Sequence, residues 1–324
     1  MRPLRILTWH VHGTYLWALA HLHHELYLPV RPHRPPGYGG RCGAWPWPGN
    51  VHEVPVDDVV DLPLDAVLYQ SVAQWTDDRF TLLSAEQRAV PQIVIEHDPP
   101  RVSPTDTRHP VDDPDAVLVH VTPFNALMWD SGRTPTRVIE HGVAVPEDVR
   151  YDGGLPRGVV ALNGLADRGR RLGADVFTAV RGDVPLDLVG MESEALGGLG
   201  EVPPPDLARF MAAYRFYFHP VRYTSLGLSL CEAMAVGLPV VGLATTELAA
   251  VIHDGVDGFV DTDVGRLVEV MRLLLAEPGL ARQIGAAGRD LARDRFNVNR
   301  FVRDWDALLG ELCGTAWSSG RRTA

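Results

Sequence analysis

The chain has 324 residues, 46% of them hydrophobic, and a formal net charge of −11. All 30 basic residues are arginine, so there is no Walker lysine, no Schiff-base lysine and no kinase-type phosphate lysine. The acidic balance also excludes the basic stripe on which nucleic-acid binders rely.

Arginine-only usage beside many Ala, Val, Gly and Pro residues has a plain explanation in GC-rich coding. The length fits two domains or one large one. No apolar run approaches the roughly 18 residues of a membrane span, and the N-terminus lacks a signal-peptide pattern. Cys42, Cys231 and Cys313 are too far apart in the chain for a zinc cage or a disulfide framework. A cytoplasmic location is therefore expected.

Residues 4–9 (LRILTW) read as a buried strand, followed by a turn over 10–15 and a helix from 16 to about 25. Residues 29–50 are too rich in Pro and Gly for regular structure. Further strands are predicted at 66–70, 92–96, 116–120 and 137–140; several are apolar on both faces, as in a helix-covered parallel sheet. An acidic Gly/Pro segment over 146–158 is the best linker. Beyond it, strands are predicted at 159–162, 186–190, 216–219, 239–243 and 258–260. The intervening helices fall at 206–214, 228–236, 264–276, 279–295 and 299–312. The pattern implies an α/β protein of two doubly wound domains, with a ligand cleft at the carboxyl ends of the strands. The divisions are 1–148, 149–298, a last helix over 299–314, and a loose tail over 315–324.

The densest signal is HPVRYTSLGLSLCEAMAVGLPVVGL, from His219 to Leu243. A strand ends at His219, Gly227 opens a helix carrying Glu232, and Gly237 closes it. A glycine at a helix start lets backbone amides approach an anion. By spacing alone, this is equally an ordinary βαβ unit with Gly237 as its C-cap.

The stretch resembles the signature of the family-4 retaining glycosyltransferases of the GT-B fold, E-x-F-G-L-x-x-x-E-A-M-A-x-G-x-P-V-V. Gly227, Leu228, Glu232, Ala233, Met234, Ala235, Gly237, Pro239, Val240 and Val241 all fit. The resemblance extends to HDGVDGF at 253–259, IEHGV at 139–143 and EHDP at 96–99. It implies two Rossmann-like domains facing each other across a cleft, the first for the acceptor and the second for the nucleotide sugar, with the last helix over 299–314 crossing back to the first. It also implies an enzyme that moves a sugar from a nucleotide-diphosphate donor, UDP- or GDP-linked, to a sugar, lipid-linked or small-molecule acceptor. Transfer would proceed with retention and without a metal or other cofactor.

By the same resemblance, Glu232 matches a glutamate that hydrogen-bonds the donor ribose. Thr224, Ser225, Leu226, Gly227 and Leu228 would line the diphosphate and sugar, and Gly13 with Thr14 lies where the first βα turn closes on the diphosphate. His97 matches a histidine facing the transferred sugar, and Asp98 would orient that histidine or the loop. Charge building on the leaving phosphate needs fixed donors, and no carboxylate pair of the glycosidase kind is required.

Two positions depart from the family pattern. Thr224 stands where a first glutamate is usual, and Leu172 where a phosphate-binding lysine is usual. Arg168, Arg170 and Arg171 stand close by and can supply the charge as planar forks, or can belong to a solvated loop. By the resemblance, Thr245, Thr246 and Glu247 stand where the family has a small-residue loop before a glutamate, and would be a further donor contact.

Other constellations have simpler explanations. His10, His12, His21, His23 and His24 lack the spacing of H-E-x-x-H. Asp261 and Asp263 imitate a metal-binding D-x-D, but Asp263 is placed to N-cap the next helix. Trp45 and Trp47 stack on sugars, lie on a lipid surface, or cap the N-terminal core, the last being preferred. Met128 and Trp129 read as a core stripe on a helix. Two rivals share the architecture: a nucleotide-sugar epimerase, and a catalytically silent nucleotide-sugar-binding or partner protein.

Overall fold

A computed structural model describes residues 2–319, with side chains as far as residue 314. The chain divides into two compact units. One holds the residues up to Gly142 and those from Val298, and the other is Val143–Asn297. The first crossing thus lies six residues before the expected boundary at 148.

The first unit contains β1 (Arg5–Thr8), α1 (Gly13–Leu19), β2 (Glu25–Val30), β3 (Val51–Pro55), β4 (Ala66–Tyr69) and α2 (Arg79–Thr81). It continues with β5 (Gln92–Glu96), β6 (Ala116–His120), α3 (Pro123–Met128) and β7 (Thr136–Val138). All seven strands are parallel, in the order β3-β2-β1-β4-β5-β6-β7. The order reverses between β1 and β4, and the carboxyl end of that junction is where such sheets bind ligands. The strands β4 and β6 are buried along their whole length.

The start of this unit departs from expectation. α1 stops at Leu19 rather than near residue 25; β2 begins at Glu25 and reaches only the first two residues of the stretch read as irregular, and β3 begins just after that stretch. No Gly, Pro or Asn marks the helix end locally. The stop is made by Asn50, whose carboxamide donates to the carbonyls of Ala20, Leu22 and His24 at 3.3, 2.9 and 2.8 Å. Pro29 is tolerated because its nitrogen faces the β1 side of β2, where the pairing with β1 has already ended at Tyr27.

The final helix, Val298–Ser319, belongs to this unit and buries Phe301 and Trp305. Arg300 donates to the Glu140 and His141 carbonyls. A Cβ at Gly142 would strike the Phe301 ring, so only glycine lets the chain pass. Residues 315–319, expected to be loose, continue the helix; 320–324 lie outside the described residues.

The second unit runs β8 (Leu155–Ala161), α4 (Leu165–Leu172), α5 (Ala174–Val180), β9 (Leu186–Val189), α6 (Pro204–Met211) and β10 (Tyr214–His219). Next come α7 (Leu228–Val236), β11 (Val240–Leu243), α8 (Leu248–Val251), β12 (Phe259–Asp261), α9 (Val264–Ala276) and α10 (Pro278–Arg295). Its parallel sheet has the order β12-β11-β10-β8-β9, reversing between β8 and β10. One apolar cluster, with Tyr217, Leu230 and Met234, packs α7 on one face. Another, with Phe177, Phe216 and Met271, packs α5 and α9 on the other. Val143 N donates to Phe296 O at 2.8 Å, so the two ends of this unit lie side by side.

The arginine-rich segment after β8, open to reading as a loop, is helical. α4 is broken at Gly169 (φ 54°, ψ −137°) and ends at Gly173 (φ 82°). A Cβ on Gly173 would fall on the Pro220 carbonyl, so α4 can abut the end of β10 only with glycine there.

Candidate active site

In the second unit, β8 ends at Ala161 and β10 at His219, flanking the strand-order reversal. Ser229 Oγ donates to Ala161 O at 2.9 Å, and Tyr217 Oη lies 3.1 Å from Ser229 Oγ. These bonds hold the start of α7 over the crevice.

Gly227 is the N-cap of α7 in extended backbone (φ −71°, ψ 134°), without a side-chain cap. The first helical bonds are those of Leu230 N and Cys231 N to Gly227 O. The amides before them lie at the positive end of the helix dipole, and no acidic residue stands in the first turn. His219 is buried beside this turn, and burial holds its pKa down at about 4, so the ring is neutral.

Glu232 lies one turn beyond Leu228 on the same face of α7. It is 7% exposed, and no hydrogen bond or ion pair engages it among the described residues. Burial alone pushes its pKa up to about 8. At neutral pH this carboxyl therefore carries a proton in the unliganded chain, and it both donates and accepts.

The loop preceding α7 is more buried than its composition implies. Ser225 and Leu226 are buried, the latter within the apolar cluster, while Thr224 is half-buried. The side chain of Leu226 is thus core, which leaves only its backbone for a ligand.

The structure separates the three arginines. Arg170 is exposed and paired with Asp175 at 2.6 Å. Arg168 lies against the β8–α4 turn: a Cβ on Gly164 would stand 3.6 Å from its Cδ. Arg171 is half-buried, and its carbonyl accepts from the amides of Arg222 and Tyr223. Leu172 is 2% exposed and packed with Val176 and Phe177, so the position expected to face a phosphate is core. Arg222, absent from the sequence reading, grips Asp175 with both guanidinium nitrogens at 2.6 and 2.8 Å. The two residues are 47 apart in sequence, so spacing gave no signal of the pair.

Other expected contacts resolve into structure. Glu247 is buried and paired with Arg295 at 2.9 Å, while Thr245 Oγ1 donates to Val221 O. Asp263 caps α9 through the amides of Gly265 and Arg266, and Asp261 pairs with Arg266.

In the first unit, Gly13 and Thr14 open α1 after β1. A Cβ on Gly13 would stand 3.4 Å from both His10 Nε2 and Trp45 Nε1. His97, at the end of β5, donates from Nε2 to Gln70 Oε1 at 2.9 Å. His12 and Tyr15 pack edge-on against it with centroids 4.4 and 4.7 Å away. Burial, with His12 and His141 alongside, keeps His97 neutral, well below the usual histidine range.

Of the two roles expected for Asp98, its contacts are with the loop and not with His97. Its carboxylate pairs with Arg101, its amide donates to Glu96, and its carbonyl accepts from Trp129 Nε1. Glu96 in turn accepts from the buried His109 at 3.0 Å. Trp129 therefore ends α3 rather than continuing a core stripe, and Met128 is only half-buried.

The histidines of the first turn have separate partners: Gly40 O for His10, Trp17 O for His21, and Asp306 with the Leu4 amide for His24. Trp45 stacks on Trp17 at 5.1 Å and Trp47 packs on its edge, capping α1. A cavity of about 440 Å³ opens there, beside Pro48 and Asn50, at the amino ends of β2 and β3. No helix of the described residues is long and apolar enough to cross a membrane.

Residues 180–277 match the family model described as glycosyl transferases group 1. Trehalose synthase of Pyrococcus horikoshii is 32% identical over 88 residues, covering 27% of this chain and 21% of that protein. The match thus spans about a fifth of the length of that curated relative. Among solved structures, HepE of Anabaena, in a complex with UDP and glucose, matches with TM-score 0.70 and 14% identity over 95% of this chain and 100% of that one. Sucrose-phosphate synthase of Thermosynechococcus elongatus matches with TM-score 0.66 and 18% identity over 96% and 100%. At such identities these neighbours speak for the fold. The α7 segment with Glu232 thus lies inside a glycosyl transferases group 1 match, on a chain whose two parallel-sheet units have the fold of the GT-B glycosyltransferases.

Proposed function

We propose that the chain is a glycosyltransferase that takes a sugar from a nucleoside-diphosphate donor with retention of configuration and without a metal ion. The observation that carries this is Glu232: a buried, unengaged carboxyl near pKa 8, set beside the uncapped start of α7 and inside the family match. A neutral carboxyl suits a ribose diol, because it donates to one hydroxyl and accepts from the other. The α7 amides and Arg168 meet the negative charge that builds on the diphosphate as its bond to the anomeric carbon breaks. The acceptor oxygen bonds that carbon, and its proton passes to the departing phosphate oxygen. Binding of UDP-glucose by a structural neighbour supports a UDP-sugar as the first donor to test.

The test is a thermal-shift panel of UDP-, GDP-, ADP- and TDP-sugars, followed by donor turnover. A donor at about a hundredfold its Kd stabilises by about 2.7 kcal/mol. Glu232→Ala should abolish that shift; an unchanged shift would sink the donor assignment. A silent donor-binding protein is favoured by one observation, the burial of Leu172 at the usual lysine position. Binding without turnover for any acceptor would select it, and donor conversion with no acceptor present would select an epimerase.

A further inference from the structure

We infer that Gln70 is the positioning residue of the first unit's site: with Thr8 it holds His97 as the Nε2–H tautomer, keeping Nδ1 as an acceptor for a hydroxyl of the sugar. The inference rests on the glycosyltransferase reading, with His97 as the residue that faces the sugar. Gln70 follows β4 and His97 follows β5, so neighbouring strand ends bring together residues 27 apart. The Gln70 carboxamide is buried, its nitrogen donates to the buried Thr8 Oγ1 at 3.1 Å, and its oxygen accepts from His97. The amides of Gln70 and Ser71 both donate to Gln74 Oε1, at 2.7 and 3.1 Å, which fixes the backbone that carries it.

Among the described residues, no carboxylate hydrogen-bonds or pairs with His97: Glu96 faces His109, Asp98 faces Arg101, and the rings alongside are His12, Tyr15 and His141. An amide oxygen fixes a tautomer without adding charge, as an outer partner commonly does for a functional imidazole. The chain therefore uses a neutral relay, Thr8 to Gln70 to His97, where a carboxylate would instead favour imidazolium.

The experiment is nitrogen NMR of histidine-labelled protein, with the His97 signals assigned by their loss in His97→Asn. The wild type should show the neutral Nε2–H pattern from about pH 5 to 8. Gln70→Leu should mix the tautomers and lower donor-turnover kcat on the order of 10- to 100-fold, with donor KM moving less than about twofold. Gln70→Glu should bring out the cationic ring. Gln70→Asn, which retracts the amide by one methylene, covers the case in which the leucine variant fails to fold. In the His97→Asn background, Gln70→Leu should cost nothing further. An Nδ1–H pattern in the wild type, an unmoved tautomer in Gln70→Leu and Gln70→Asn, or equal losses in both backgrounds would overturn the inference. If the NMR holds but no nucleotide sugar is turned over, the glycosyltransferase reading fails, and the role assigned to Gln70 in catalysis goes with it.

Discussion

Ser229 donates its hydroxyl to the Ala161 carbonyl at 2.9 Å, fastening the first turn of α7 to the end of β8. The Tyr217 hydroxyl shares that carbonyl at 3.3 Å. Ser229→Ala should lower stability by about 1 kcal/mol, the usual net worth of such a bond. The urea midpoint measures this, and a midpoint equal to wild type would show the turn is held by packing alone.

Glu232 gives the unliganded protein a pH signature. Its carboxyl ionises near 4.5 when unfolded but keeps its proton to about 8 when folded. Between those values the unfolded chain binds fewer protons, so stability falls as pH rises, by at most about 1.4 kcal/mol per unit. Glu232→Gln should remove that fall. A gap between the two proteins that stayed constant from pH 5 to 8, read by urea titration at about one-unit steps, would contradict the buried neutral carboxyl.

The element that carries Glu232 was the most legible in the sequence. Gly227 and Gly237 bracket α7 as read, because Gly237 takes a left-handed φ of 105° that an L side chain rarely adopts. Elsewhere the deciding interaction was distant. The α1 stop depends on Asn50, and the His97 partner is Gln70 rather than the adjacent Asp98. For Leu172, the family resemblance gave the position but not the direction of the side chain, which a helix places by its turn: one residue either way separates core from crevice. The α4 segment was hidden because Gly169 and three arginines mask a helix whose apolar face has only Leu165 and Leu172 buried.

Among the arginines, Arg168→Gln should weaken donor binding about tenfold or more, the scale of one charge-assisted hydrogen bond. Arg170→Gln should leave it within about twofold, because Arg170 is exposed and spent on Asp175. Calorimetric titration with the donor found by thermal shift decides between them. The reverse ranking would move the phosphate site away from the β8–α4 turn.

Gly173→Ala should be more damaging than either. The added methyl meets the Pro220 carbonyl, and the residue has φ 82°. A loss of about 2 kcal/mol or more is expected from strain together with the clash. Gly255→Ala, where φ is 75° but nothing lies within 4 Å, is the control and should cost less. Equal costs at both sites would mean that backbone strain alone, not the close approach, requires glycine.

The bond between Val143 and Phe296 has a consequence for how such a chain can change over time. Because the second unit begins and ends at paired positions, it is a contiguous block whose termini already meet. It can be closed on itself by a short linker, or replaced whole by a block of similar end spacing, with only two junctions to repair. On the proposed reading, a change of donor could therefore come by exchanging that block without touching the Gln70–His97 pair, which lies outside it.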